Sequence, residues 1–306
     1  MNPKKITDII IEEISFDNSS DSKKILTGFS QLDSQYSGIL FGDLVVIGGD
    51  TGMGKTQFAI DLALKISKSF PILYLSLKET KPAVVSRVLS SFSGISTEKI
   101  SSNQISNKEN EFLSTFSKFG SKLYVKEEFL NIETLSKDID EFDFKVVFID
   151  DVQILPSQFS KNKLNVLMHE FKALANCKNI AIVLLSQLSN DILKKNPLGK
   201  PTLKHLDINN AIREVPDKIW FLYRPEYYFI DEDLDSDRSP TKNLLKLIIA
   251  KNRNGETGIC DFEKSSNFSS FKERNKDVFQ FELNYSNFLN SGKKFGLEYD
   301  DIEVPF

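Results

Sequence analysis

Eight consecutive residues, Gly49-Asp50-Thr51-Gly52-Met53-Gly54-Lys55-Thr56, carry the plainest chemistry in the chain. They fit G-x-x-x-x-G-K-[ST], a loop whose glycines let the backbone curl with its N–H groups turned toward phosphate oxygens. In such a loop Lys55 reaches the β- and γ-phosphates, and the Thr56 hydroxyl binds Mg²⁺. A second acidic element follows the apolar run Val146-Val147-Phe148-Ile149, which ends in Asp150-Asp151. A carboxylate at the end of such a strand binds Mg²⁺ through water beside Thr56, and Asp150, the first acid, is the residue expected to do so. The next apolar run ends Leu185-Ser186-Gln187, where the Gln187 amide can sense a γ-phosphate from a neighbouring strand.

These side chains need a scaffold, and the hydrophobic pattern supplies one. Leu44-Val45-Val46-Ile47 reads as a buried strand before the glycine loop, and Phe58, Ile60, Leu62, Ala63 and Ile66 read as a mostly buried helix after it. The helix N-terminus adds its partial positive charge to the phosphate cradle. Further strands are expected at 72–77, 122–125, 146–149, 180–185, 218–223 and 244–250. Several are continuously apolar, as where helices cover both faces of a mainly parallel sheet. The last strands have no helices between them and predict an antiparallel edge. The fold class is therefore α/β, a twisted and mainly parallel sheet flanked by helices.

Outside that unit, Ile6, Ile9, Ile10 and Ile14 stand at helical spacing, and a polar tract from Asp17 to Lys24 reads as a linker. After about Asn275 periodicity fades, and the chain ends in the acidic run Glu298-Tyr299-Asp300-Asp301-Ile302-Glu303-Val304-Pro305-Phe306. The expected division is 1–24 as helix and linker, 25–275 as the catalytic unit, and 276–306 as an extension. At 306 residues, 40% hydrophobic and a net charge of −4, the chain suits a globular protein and shows no bulk basic character. Cys177 and Cys260 fit neither a disulfide framework nor a metal-ligand pattern, and both are expected to be buried in a reducing compartment. No run reaches membrane-spanning length, and the N-terminus lacks a signal-peptide core, so a cytoplasmic location is expected. Trp220 reads as core, and neither His169 nor His205 has a convincing partner.

With these residues assembled, the sequence from about 25 to 275 resembles the C-terminal RecA-like ATPase domain of DnaB-type replicative helicases. The resemblance rests on Leu26-Thr27-Gly28-Phe29 with Leu32-Asp33, on Ile149-Asp150-Asp151-Val152-Gln153-Ile154-Leu155, and on Leu185-Ser186-Gln187-Leu188. It extends to Tyr223-Arg224-Pro225-Glu226-Tyr227-Tyr228 and to Ile249-Ala250-Lys251-Asn252-Arg253-Asn254-Gly255. It implies ATP and Mg²⁺ held between subunits of a ring, a hexamer in that family, that moves along single-stranded DNA. Lys251 and Arg253 would then act in trans on the γ-phosphate of an adjacent subunit, and Tyr223 and Arg224 would flank the base. The N-terminal helix would dock on a neighbouring copy. The family's large N-terminal domain has no counterpart here, which suggests an accessory or mobile-element helicase.

Two departures stand out. The family reads Ser-Leu-Glu-Met where this chain reads Ser76-Leu77-Lys78-Glu79, so Lys78 occupies the place of the water-activating Glu. Glu79, one residue later, becomes the candidate base if a bulge at the strand end turns it inward. The second DNA loop of the family, Asp-Leu-Arg-Glu-Ser-Gly, is replaced by His205-Leu206-Asp207-Ile208-Asn209-Asn210. Lys161 and Lys163 after the acidic strand, with Lys194, Lys195, Lys200 and Lys204 near that loop, are the candidate phosphate-backbone contacts. The acidic tail is similar to the tip of bacterial single-stranded-DNA-binding proteins, which implies a replication partner. Because of Lys78, an ATP-binding assembly or regulatory protein with weak or no hydrolysis stands as the competing reading. A filament-forming recombination ATPase is the third, and the Lys251–Gly255 hairpin argues against it.

Overall fold

Leu44–Gly49 (β3) has no polar side, because it lies at the middle of a sheet covered on both faces. The computed structural model describes residues 24–274 except 119–120, 156–160, 189–197, 207–210 and 236–237, and excepting the side chains of 117 and 161–163. The helix expected at 6–14, its linker up to residue 23 and the extension from 276 lie outside the described residues, and Lys24, expected as the linker's end, opens the first strand. A short hairpin of Lys24–Ile25 (β1) and Ile39–Leu40 (β2) brackets the helix Ser30–Gln35 (α1) and leads into β3. The helix after the glycine loop is Lys55–Ile66 (α2), followed by Ile72–Ser76 (β4) and Lys81–Ser93 (α3). Then come Thr97–Ser101 (α4), Asn107–Ser114 (α5), Leu123–Lys126 (β5) and Ile132–Phe142 (α6). Val146–Asp150 (β6), Lys161–Lys178 (α7), Ala181–Gln187 (β7) and Ala211–Glu214 (α8) complete the helical part. The chain closes with Lys218–Tyr223 (β8), Leu244–Asn252 (β9), Gly258–Lys264 (β10) and Phe271–Glu273 (β11).

The nine-stranded sheet has the order β11-β10-β9-β8-β3-β7-β6-β4-β5. Strands β8, β3, β7, β6, β4 and β5 are parallel, and β9, β10 and β11 add an antiparallel edge. Alternate residues of the central strands feed two cores. Val45, Ile47, Tyr74, Phe148, Val183 and Leu185 pack with Phe58 and Leu62 of α2 on one face. Leu44, Val46, Leu73, Leu75, Val147 and Ile149 pack with Leu135 and Ile139 of α6 and Phe171 of α7 on the other. That two-sided burial is why the strands read as continuous apolar runs.

The consequence for function is positional. Parallel strands end at one rim, and a ligand of an open α/β sheet binds at the carboxyl ends of its strands. The loops after β3, β4, β6, β7 and β8 all start there. None of the described helices is long and apolar enough to cross a membrane. Two expectations need correction. Cys177 is exposed on α7 rather than buried, because the helix turns that position away from the sheet. His205 is buried and has a partner: its Nδ1 accepts from the Thr202 backbone N–H at 2.9 Å, capping a one-turn helix.

Candidate nucleotide-binding site

The glycine loop needs residues that tolerate positive φ. Gly52 and Gly54 stand at φ 79° and 89°. A side chain at Gly54 would also run into the Phe268 ring. Gly54 is the N-cap of α2, so the helix begins at Lys55 with its first N–H groups facing the loop. Lys55 Nζ folds back and donates to the carbonyl oxygens of Gly49 at 2.9 Å and Asp50 at 3.0 Å. Those bonds hold the ammonium at the mouth of the cradle. Burial lowers its pKa, opposed by the charges of Asp151 and Asp150.

Around the loop lies a cavity of about 640 Å³. Thr51, Gly52, Gly54, Lys55 and Thr56 line one side, and Asp150, Asp151 and Gln187 line another. Asp150 Oδ2 accepts from the Tyr74 hydroxyl at 2.9 Å, and the carboxylate is also hydrogen-bonded to Thr56. Burial pushes the pKa of both Asp150 and Asp151 up. A divalent cation beside them would relieve that penalty by favouring the anions. Hydroxyl and carboxylate oxygens are also the hard donors Mg²⁺ prefers, so Thr56 and Asp150 fit the ion. Asp151 spends one oxygen on the Gln153 backbone N–H at 3.1 Å. Gln187 pairs with Gly49 across β7 and β3, and its Nε2 donates to Thr51 Oγ1 at 2.7 Å. Its amide is therefore in contact with the loop. Gln153 steadies that strand end by donating to the Ser186 hydroxyl and to the Gln187 carbonyl at 2.7 Å.

The transposed pair after β4 both reach the cavity. Ser76 Oγ donates to the Glu79 carbonyl at 2.6 Å and accepts from its N–H, closing a tight turn over 76–79. This turn replaces strand alternation, so Lys78 and Glu79 both line the pocket. Glu79 is bound by a residue the sequence reading passed over. Arg87 of α3 donates from Nε and Nη2 to its two carboxylate oxygens, each at 2.7 Å. That pairing raises the Arg87 pKa.

The expected base-flanking pair separates. Arg224 lines the cavity, donates to the Gly52 carbonyl at 2.9 Å and pairs with Glu226 at 2.7 Å. Tyr223 is buried and gives its hydroxyl to the Leu198 carbonyl, away from the residues lining the cavity. The aromatic beside Arg224 is Phe268, whose ring centroid lies 4.4 Å from the guanidinium carbon. It sits on the β10–β11 turn, which Ser265, Asn267 and Ser269 hold by mutual hydrogen bonds. A lone Phe within Ser265-Ser266-Asn267-Phe268-Ser269-Ser270 gives no periodic signal, which is why sequence reasoning missed it.

Lys251 and Arg253 lie elsewhere. β9 runs antiparallel to β8, and Asn252 pairs with Lys218, which in turn pairs with Val45 at the start of β3. The loop begins after Gly49, four residues along β3, or about 13 Å at strand rise. Both cations dock on the C-terminus of α8: Lys251 Nζ donates to the Glu214 carbonyl at 2.7 Å and Arg253 Nη2 to the same oxygen at 2.8 Å. Arg253 also pairs with Asp217 at 3.3 Å. The two point the same way, on the rim opposite the phosphate loop. Of the candidate lysines, Lys194 and Lys195 and the side chains of Lys161 and Lys163 lie outside the described residues. Lys200 pairs with Asp235 at 2.5 Å, and Lys204 belongs to the one-turn helix Leu203–His205.

Comparison with known proteins gives this geometry a context. Residues 24–273 match the family described as DnaB-like helicase C terminal domain. A probable replicative DNA helicase of Trieres chinensis is 28% identical over 260 residues, 80% of this chain and 56% of that protein. Replicative DNA helicase DnaB of Buchnera aphidicola is 25% identical over 273 residues, 84% of this chain and 57% of that one. A probable plasmid replicative DNA helicase of Chlamydia psittaci is 29% identical over 245 residues, covering 75% and 51%. The chain thus spans about half the length of the curated relatives it matches. Among solved structures, an isolated ATPase domain superposes with a TM-score of 0.79 at 22% identity, covering 90% of this chain and all of that one. A DnaB-like replicative helicase studied with primase gives 0.74 at 22% identity, covering 89% and 67%. The fold is the RecA-like ATPase fold of these proteins.

Proposed function

The chain belongs to the DnaB-like helicase C-terminal domain family, and from that premise we propose that it is an ATP-driven motor that separates duplex DNA while moving along a single strand. In this reading residues 25–275 form the motor, 1–24 a helix and linker that docks on a neighbouring copy, and 276–306 an extension. Lys55 and the loop N–H groups bind the phosphates of ATP, and Thr56 and Asp150 hold Mg²⁺. Bound Mg²⁺ would neutralise charge developing on the phosphates. Gln187 reports the γ-phosphate to the neighbouring strand. Arg224 and Phe268 line the cavity and pack against each other, and they take the role first expected of Tyr223 and Arg224.

One observation carries the oligomeric half of the proposal. Lys251 and Arg253 sit on the rim opposite their own phosphate loop, so their side chains cannot reach the triphosphate that their own subunit binds. Cations that serve a phosphate from there serve another copy's. A closed ring, a hexamer on family grounds, satisfies that head-to-tail contact. Lys161, Lys163, Lys194, Lys195, Lys200 and Lys204 then line the channel as sequence-independent phosphate contacts. The acidic tail recruits a replication partner, and the site of action is the cytoplasm.

A second reading has its own support. Glu79, the candidate base, has both oxygens engaged by Arg87, and Lys78 cannot accept a proton while charged. An ATP-holding assembly protein would look the same. Phosphate release measured with and without single-stranded DNA, beside a mass determination in ATP, tests the motor. DNA-stimulated release from an oligomer is expected, and Glu79→Gln should lower it on the order of 10²-fold or more with ATP still bound. An unstimulated oligomer, indifferent to Glu79→Gln, supports the assembly protein instead.

A further inference from the structure

Most of the charged side chains that line the cavity are paired, the exposed Glu98 and Lys78 apart. Lys55 is on two carbonyl oxygens, Arg87 is bridged to Glu79, and Arg224 is held by Glu226 and the Gly52 carbonyl. On the acidic side, Asp150 takes the Tyr74 and Thr56 hydroxyls and Asp151 caps the turn after β6. Lys78 differs from all of these. It lines the same cavity and is exposed, and among the described residues its ammonium makes no hydrogen bond or ion pair.

Its position is imposed rather than incidental. The Ser76–Glu79 turn is closed by the Ser76 hydroxyl, and Leu77 N–H still donates to the Asp150 carbonyl at 2.6 Å. The backbone at 78 therefore leaves the sheet directly beside the metal-binding strand end. Lys78 lines the same cavity as Lys55, Asp150 and Asp151, so an anion that enters the cradle comes within reach of its ammonium. The neighbouring Glu79 carboxylate is engaged through both oxygens by the Arg87 fork.

We propose that Lys78 is a γ-phosphate-binding residue that lets each subunit distinguish a nucleoside triphosphate from a diphosphate without help from a neighbour. The inference rests on the cavity being the nucleotide site. It goes further by assigning triphosphate selectivity in cis to a residue on the β4 turn. A charge-assisted bond at a partly open site contributes roughly a tenfold change in affinity. Because the ammonium is exposed, salt screens its contribution.

The test uses the full chain with Mg²⁺ and two probes, ADP and the non-hydrolysable triphosphate adenylyl imidodiphosphate, titrated by calorimetry below the concentration at which copies associate. Lys78→Ala and Lys78→Gln should weaken the triphosphate about tenfold and leave ADP affinity unchanged, while Lys78→Arg should retain most of the selectivity. Raising salt should shrink the wild-type triphosphate preference and leave that of Lys78→Ala flat. Equal affinities of wild type and Lys78→Ala for the triphosphate, with ADP still bound, would overturn the assignment and leave the nucleotide site standing. A wild-type chain that binds neither probe would overturn the site itself.

Discussion

Lys55 shows how one side chain carries both structure and chemistry. In the cradle it bonds to carbonyl oxygens, and burial favours the neutral amine, so its pKa lies below the ordinary lysine value of about 10.4. Nucleotide phosphates favour the charged form. Affinity is therefore complete below the lowered pKa and is lost as pH rises through it. Titrating Mg·ADP across the alkaline range should show the fall beginning before the ordinary lysine pKa, and Lys55→Arg, whose guanidinium stays charged, should remove the fall. Wild-type affinity that held steady to about pH 10.4 would contradict the burial argument. Asp150 illustrates the complementary case. Its carboxyl is pushed up by burial and pulled down by the Thr56 and Tyr74 hydroxyls, and a cation beside it would favour the anion.

At the scale of elements, the late strands are the sharper test. β10 is Gly258–Lys264, and it buries Cys260 between β9 and β11, with the thiol pushed up to about 12 by burial and nearby acids. Cys177 is exposed on α7. A thiol reagent at neutral pH should label one position in the folded chain and a second only after denaturation. Prompt labelling of both would mean that β10 does not pair as described. The seven strands expected from apolar runs all form, with ends shifted by a residue or two. β10 and β11 are not legible as strands from apolar runs, because Asp261, Glu263, Lys264 and Lys272 break those runs up. Tertiary pairing excuses those charges: Lys246 on β9 is buried against Asp233 at 2.7 Å and Asp261 at 3.3 Å. Lys218 is likewise buried and donates to the Gly38 carbonyl at 2.7 Å. The site divides the same way. Contiguous motifs such as 49–56 and 146–151 are legible, since their spacing is their geometry. Arg87 and Phe268 are not, because only the folded turns at 76–79 and 265–270 bring them to the cavity.

For the whole molecule, the sheet sets the distance that matters. Strand polarity puts the phosphate loop at one rim and Lys251 with Arg253 at the other, and α8 holds both cations in an orientation outside the cavity. Burial lowers the Lys251 pKa, the adjacent Arg253 charge lowers it further, and an incoming anion would favour its charged form. In the proposed ring each subunit is half of two sites. The most direct measurement of that claim is complementation by mixing. Lys55→Ala and Arg253→Ala proteins are each assayed for ATP hydrolysis, then mixed in equal amounts and assayed again. Each alone should be nearly inactive, and the mixture should recover a substantial part of wild-type activity, because an intact loop from one copy meets an intact finger from another. A mixture no more active than its components, with both variants shown to co-assemble, would contradict a shared site.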